Sequence, residues 1–284
     1  MQKRFEIEGL RQRLYDPKRD EEFTVYAEQN ITLYAGDFVS LLGPSGCGKT
    51  TLLSVLGLLR APSHAKELKT FKVYLPDAKS AEKSIDLRTA WLKNRRSVIE
   101  DARRKHIGFA LQSGELISSL SVRENIAAPL YLNALSSAKI TERVDYLIDA
   151  FQLRRRLAKG TDASDSADEE FTSLGNAPIN RLSGGEYQRT ALARAIAHRP
   201  AIAFVDEPTS ALNRELARGA LTQLRKLQSD HRDAVPGVIV MITHDESFAQ
   251  EFSNVIIRMA PCKDKPAGEI REIHRTTPIE EHAA

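Results

Sequence analysis

The segment Gly43-Pro-Ser-Gly-Cys-Gly-Lys49-Thr50 reads G-x-x-x-x-G-K-[ST], a spacing that can wrap a chain around phosphate groups. Glycine tolerates the backbone angles that turn successive N–H groups inward around phosphate oxygens. Lys49 adds a point charge suited to bridging β- and γ-phosphates, and the Thr50 hydroxyl is placed to ligate Mg²⁺. Gly43, Pro44, Ser45, Gly46, Cys47, Gly48, Lys49, Thr50 and Thr51 are therefore candidate nucleotide-binding positions. A second group, Asp206-Glu207, follows the apolar run Ala201–Val205. Such a pair can divide the labour of phosphoryl transfer. Asp206 would hold the metal, and Glu207 would orient and deprotonate a water for in-line attack on a γ-phosphorus. Alone, Asp-Glu-Pro also suits a turn or a helix start; beside a phosphate loop it completes a hydrolytic site.

A third group is Leu182-Ser183-Gly184-Gly185-Glu186-Tyr187-Gln188-Arg189, ahead of the apolar helical run Thr190–His198. Ser183 and Glu186 have capping-box spacing, which makes the segment a well-capped helix start. Capping does not explain the paired glycines, which favour close backbone approach to another group. A helix N-terminus with open N–H groups is itself an anion site, and one phosphate loop needs no second one nearby in the same subunit.

These groups must be positioned by something. Short apolar runs at Phe38–Leu42, Ile107–Leu111, Ala201–Val205 and Val238–Ile242 read as strands covered on both faces, with helical patterns between them. The fold class is α/β with a mostly parallel core sheet. Ligands in such sheets bind beyond the carboxyl ends of strands. Here those ends carry Gly43–Thr50, Gln112, Asp206 with Glu207, and Thr243 with His244. The helix after the phosphate loop is expected over Thr51–Leu59. Ahead of the core, Phe5–Glu8, Thr24–Ala27 and Asn30–Tyr34 alternate as antiparallel strands, with turns near Asp16-Pro17 and Ala35-Gly36. Residues 113–181 turn helical, with Val144, Leu147, Ile148 and Phe151 on one face, and read as an inserted helical subdomain. No internal repeat is visible.

Two segments look like insertions. In His64–Lys105 a strand at Phe71–Leu75 precedes a basic helix carrying Trp91, Leu92, Val98, Ile99 and Ala102; its Arg95, Arg96, Arg103, Arg104 and Lys105 are either a solvated face or a surface for lipid headgroups or an acidic partner. Gly160–Asn176 is acidic and is expected to be a loop. The domain expectation is one unit. Residues 1–112 and 182–260 form the core, 113–181 the helical subdomain, 64–105 and 160–176 the insertions, and 261–284 a short tail.

The 284 residues are 42% hydrophobic and 28% charged, ordinary for a folded globular protein, and a net charge of +3 gives no reason to expect nucleic-acid binding. No apolar run approaches the roughly 18 residues of a membrane span, and Met1–Leu10 lacks the apolar stretch of a signal peptide. A cytosolic location is expected. Two cysteines supply neither a disulfide framework nor a zinc cluster.

Taken together, the phosphate loop, Leu182–Arg189, Asp206-Glu207, the following Ser210-Ala-Leu-Asn213, His244 and Gln112 resemble, in order, the motifs of the ATP-binding-cassette (ABC) ATPases over about Phe5–Met259. The resemblance implies an ATP- and Mg²⁺-dependent hydrolase that works as a head-to-tail dimer. The phosphate loop of one copy and Ser183, Gly184 and Gly185 of the other would enclose each ATP. Tyr15 would stack on adenine, Gln112 would contact Mg²⁺ and the attacking water, and His244 would hold Glu207 and water in geometry. Ile107-Gly-Phe-Ala-Leu-Gln112 and Ser121-Val-Arg-Glu-Asn-Ile126-Ala-Ala-Pro-Leu130 are similar to the lipoprotein-release and macrolide-export type. That likeness implies a separate membrane permease docking around Gln112–Leu130, and a peripheral place on the inner face of the cell membrane. Two other uses of the same motifs are a non-transport ATPase and a weakly hydrolysing regulatory module. The second is suggested by Asn213, where the family usually has Asp.

Overall fold

The computed structural model describes residues 2–16, 20–75, 83–111, 116–156, 171–229 and 237–276. Strands run in chain order as β1 (Lys3–Glu8), β2 (Leu10–Asp16), β3 (Glu21–Ala27), β4 (Ile31–Tyr34), β5 (Phe38–Leu42), β6 (Thr70–Leu75), β7 (Lys83–Asp86), β8 (Ile107–Ala110), β9 (Arg154–Arg156), β10 (Phe171–Ser173), β11 (Ile202–Asp206), β12 (Val238–Ile242), β13 (Val255–Pro261) and β14 (Ala267–Arg275). The helices are α1 (Lys49–Leu56), α2 (Leu87–Leu92), α3 (Arg96–His106), α4 (Val122–Leu132), α5 (Ser137–Ala150), α6 (Gly184–Ile196), α7 (Arg214–Ser229) and α8 (Glu246–Phe252).

An eight-stranded sheet in the order β2-β3-β14-β13-β5-β12-β11-β8 forms the centre, and β13, β5, β12, β11 and β8 are parallel to one another. Every residue of β5, β11 and β12 is buried, as their unbroken apolar runs require. Alternation assigns the side chains to two cores. Ile202, Phe204, Val238, Val240 and Ile242 pack toward α1 and the N-terminal strands. Ala203, Val205, Ile239 and Met241 pack against the helices that follow Val122. That second layer is the helical subdomain, where buried Ile140, Val144, Leu147, Ile148 and Phe151 meet Leu192 and Ile196. Among the described residues no helix is long and apolar enough to cross a membrane.

The N-terminal strands do not form one antiparallel unit. β3 is recruited to the main sheet beside β14, while β1 and β4 join β6 and β7 in a separate antiparallel sheet ordered β4-β1-β6-β7. The segment expected as an insertion at 64–105 is thus half structural: Leu68, Phe71, Val73, Leu87, Ala90, Ile99 and Ala102 are buried in the first core. Its expected single helix is two. Asn94 takes a positive φ of 49° between α2 and α3, which a continuing helix cannot accommodate. The expected tail after Pro261 includes β14, nine residues that pair with both β13 and β3. Its apolar residues are too few to read as a buried strand from sequence, since only its first half is covered. Of the expected acidic loop, 160–170 lies outside the described residues, while Phe171–Ser173 is not loop but β10, paired with β9.

Candidate active site

The phosphate loop leaves the buried end of β5 and closes at the start of α1. Gly48 sits at the N-cap of α1 with φ 93°, and a Cβ there would stand 2.4 Å from Val25 Cγ2. Glycine is required on both counts. Cys47 is buried beneath the loop, and burial pushes its thiol above the ordinary range, so it packs rather than reacts. The Lys49 ammonium is held over the loop, where it donates to the carbonyls of Gly43 (2.7 Å) and Pro44 (2.9 Å). Thr50 Oγ1 donates to Asp206 Oδ2 at 3.4 Å, joining the loop to the end of β11.

Asp206 is buried. Burial first, and then the charge of Glu207, push its carboxyl above the ordinary range, while the Thr50 hydroxyl and Lys49 oppose them. A carboxylate in that setting is best satisfied by a cation. The hydroxyl of Thr50, one carboxylate and phosphate oxygens are the hard, oxygen-only donor set that Mg²⁺ takes. Glu207 follows with φ 47°, a left-handed angle that costs a non-glycine residue about 1–2 kcal/mol. Its N–H donates to the Ile242 carbonyl (3.0 Å), and its own carbonyl accepts from Ser210 Oγ (3.1 Å) and Gln188 Nε2 (3.4 Å). Its side chain lines the same cavity as the loop. Its Oε2 is shut from solvent, with no aligned donor, although His244 Nδ1 stands 3.0 Å away. His244 is 77% exposed, so this imidazole can reach a ligand as well as Glu207.

One open cavity of about 750 Å³ gathers these groups: Ser45, Gly46, Gly48, Lys49, Thr50, Thr51, Asp206, Glu207 and His244 line one end, and Tyr15 lies at the other. Tyr15 is 59% exposed, and its hydroxyl donates to Asp20 (2.5 Å). Gly43 and Pro44 face a neighbouring cavity with His244 and Arg258. Gln112 lies outside the described residues.

Ser183, Gly184 and Gly185 do not line this cavity. The Ser183 hydroxyl accepts from the Glu186 N–H (3.3 Å), and the Glu186 carboxylate accepts from the Ser183 N–H (2.7 Å), the reciprocal capping box. The glycines also have an intrachain reason. A Cβ on Gly185 would stand 2.9 Å from Leu212 Cδ2, so the first turn of α6 packs against the segment that follows Glu207. Ser183 and Gly184 remain exposed, presenting a helix N-terminus that this chain's own phosphate loop does not meet.

The sequence profile described as ABC transporter matches residues 26–210. This chain belongs to the ABC transporter family. The ABC transporter ATP-binding protein MJ0796 of Methanocaldococcus jannaschii is 32% identical over 244 residues, 84% of this chain and 87% of that one. A dimeric structure of MJ0796 in a post-hydrolysis state bound to ADP and Pi matches with a TM-score of 0.69 at 25% identity, covering 97% of this chain and 100% of that chain. The lipoprotein-releasing system ATP-binding protein LolD of Acinetobacter baylyi is 31% identical over 233 residues, 80% of this chain and 83% of that protein. The sulfate/thiosulfate import ATP-binding protein CysA of Synechocystis sp. is 31% identical over 257 residues, 90% of this chain and 60% of its own length. This chain thus spans about three fifths of the sulfate/thiosulfate import proteins it matches.

Sequence reasoning overlooked several residues of the site. Phe23, Glu22 and Pro266 line the cavity beside Tyr15. Leu14 and Tyr15 pair with Phe23 and Glu22 across β2 and β3, so the alternation of β3, once paired with β2, carries that information. Pro266 could not be found, because β14 was not expected. Asn125, fully buried in α4, was also missed as a fastener: its side chain accepts from the Ile117 N–H (2.8 Å) and donates to the carbonyls of Ile117 (3.1 Å) and Ser121 (3.0 Å).

Proposed function

We propose that the chain is the ATP-binding and ATP-hydrolysing subunit of a transporter, acting as a dimer on a separate membrane permease. The observation that carries this reading is the convergence of Lys49, the Thr50–Asp206 pair and the Glu207–His244 pair in one cavity. Backbone N–H groups of the loop and Lys49 bind the β- and γ-phosphates. Thr50 and Asp206 would hold Mg²⁺, with Gln112 as a further ligand, and the ion would neutralise charge on the phosphates. Glu207, which lines the same cavity as the loop, takes the proton of the attacking water, and His244 holds that carboxylate and the γ-phosphate in register. Tyr15 is the platform for adenine.

The dimer is supported by the exposed Ser183–Gly184 turn, which needs a phosphate from elsewhere, and by the dimeric form of MJ0796. The permease is supported by a groove of about 750 Å³ between α3, α4 and the end of α6, where Leu59, Ile117 and Leu132 are exposed. Docking there, within and beside Gln112–Leu130, gives the chain a peripheral position at the membrane. LolD favours the lipoprotein-release type and CysA an import type; Ile107–Gln112 and Ser121–Leu130 favour the first.

The test is turnover of Mg-ATP by the purified chain and two variants. Lys49→Ala is expected to lose nucleotide binding. Glu207→Gln is expected to bind ATP, lose turnover by about 10²–10⁴-fold and accumulate as an ATP-bound dimer. Wild-type turnover by Glu207→Gln would overturn the assignment of the base.

A further inference from the structure

Glu207 is held in its left-handed conformation by few groups. The Ser210 contacts are local to its own turn, and the Ile242 carbonyl fixes the amide side only. The carbonyl side has one distant tie among the described residues, the side-chain amide of Gln188, at 3.4 Å. Gln188 is 4% exposed and lies in the second turn of α6, the helix whose first turn is Ser183, Gly184 and Gly185. The preceding residue, Tyr187, accepts at its hydroxyl from the Leu116 N–H (3.0 Å), at the exit of the Gln112 segment. One helix therefore carries an open anion-binding end, a link to the base and a link to the permease-facing segment.

We infer that Gln188 is a positioning residue that ties the base Glu207 to the α6 N-terminus of the same chain. The inference rests on the proposed ATPase and dimer. In that dimer the α6 end of a chain meets the nucleotide of its partner, while Glu207 acts on the chain's own nucleotide. Phosphate contact at the helix end shifts α6, Gln188 carries the shift to the Glu207 carbonyl, and the carboxylate turns with it. Occupancy of one site thereby sets the geometry of the base in the other. A strained residue suits this task, because a small displacement of its supports moves it between discrete backbone states.

Gln188→Met keeps the side chain's size and removes the donor; Gln188→Glu keeps the shape and sets an acceptor against the carbonyl. Two measurements decide the matter. In the chain without nucleotide, amide exchange across residues 206–212 is expected to quicken about tenfold in Gln188→Met, with the α6 amides unchanged. In Mg-ATP turnover, both variants are expected to lose kcat by about tenfold with KM within twofold. Placed on Glu207→Gln, the same substitutions are expected to cause no further loss, since Gln188 works through that carboxylate. Unchanged exchange, an equal loss in both backgrounds, or a loss carried by KM would overturn the inference. A wild-type chain that hydrolysed no ATP would instead overturn the ATPase reading, and the exchange comparison would still decide whether Gln188 holds Glu207.

Discussion

The phosphate loop and the Ser183–Gly185 turn carry equally specific sequence motifs, yet the fold treats them in opposite ways. The loop is surrounded by its chemistry: Thr50 reaches Asp206 at 3.4 Å, Glu207 and His244 face the same cavity, and Gly48 is locked against Val25. The Ser183 turn is self-sufficient in its capping and presents its N-terminus to nothing in its own cavity. A motif whose local structure is complete, and which does not line the cavity of its own chain's phosphate loop, points outside the chain. That contrast is the physical argument for two copies.

The largest expected effect breaks the contrast directly. Gly185→Asp puts a carboxylate at an anion-accepting helix end and a Cβ within 2.9 Å of Leu212. Turnover is expected to fall by roughly 10³-fold, the scale of losing a donor set aimed at developing charge. Nucleotide binding to the separated chain, read by titration with a non-hydrolysable ATP analogue, is expected to stay within twofold. A parallel loss of binding would place the turn in the same chain's site and remove the reason for a dimer.

The far end of α6 gives the next effect, now in stability. His198 places Nε2 3.2 Å from the Ile107 carbonyl, its Nδ1 is enclosed without a partner, and burial lowers its pKa to about 4. The unfolded chain binds this proton near pH 6.5 and the folded chain only near 4, so stability falls as pH drops through that window. Between pH 7 and 4.5 the loss from this group is about 2 kcal/mol, from a shift of 1.36 kcal/mol per unit. Denaturant titration of His198→Gln at both values is expected to show a pH dependence smaller by that amount. An unchanged dependence would show that the ring is hydrated in the folded state.

The same contrast explains what the sequence could and could not reveal. Apolar strands that end in chemistry were legible: β5, β11 and β12 lie within a residue of their expected bounds, because strands buried on both faces leave unbroken apolar runs. Sheet membership was not legible. β3 looks like β1 and β4 in sequence, yet it joins the main sheet because β14 offers it an edge, a pairing across some 240 positions that no local pattern encodes. In the 64–105 segment the strand expected at Phe71–Leu75 is β6, but its place in the core was not legible for the same reason. Phe71 and Val73 alternate as an edge hairpin would, and only their register with Phe5 and Ile7 makes them core. At the candidate site, Lys49, Thr50, Asp206, Glu207 and His244, whose types suggest chemistry, line one cavity. Gln188 and Asn125, which act on backbone carbonyls and amides, were not legible, since their partners have no residue type to recognise.

The proposed base platform tests the loop side on a smaller scale. Tyr15 is exposed on β2 and, among the described residues, its hydroxyl donates to Asp20, which leaves the ring face open for stacking. Tyr15→Ala is expected to weaken ATP binding about tenfold, at the lower end of the 1–3 kcal/mol that base stacking contributes. Tyr15→Phe is expected to bind within twofold, because the ring and not the hydroxyl does the work. Equal losses in both variants would make the Asp20 contact, and not stacking, the determinant.

Asn213 sharpens the comparison at its seam, the stretch between Glu207 and α7 against which Gly185 packs. Its Oδ1 accepts from the Leu216 N–H at 2.9 Å, capping α7. Asn and Asp cap with nearly equal strength, and a carboxylate gains slightly from the helix dipole, so Asn213→Asp is expected to change stability by less than about 0.5 kcal/mol. The missing charge then has no role within the chain that the amide fails to fill. In the proposed dimer any effect is expected where two copies meet. Turnover of Asn213→Asp is therefore expected to rise by up to about threefold in the ATP-bound dimer, the scale of one exposed charge, while nucleotide affinity of the separated chain is unchanged. A rise present in the separated chain would move Asn213 to the loop side of the comparison, and the seam would belong to one site rather than two.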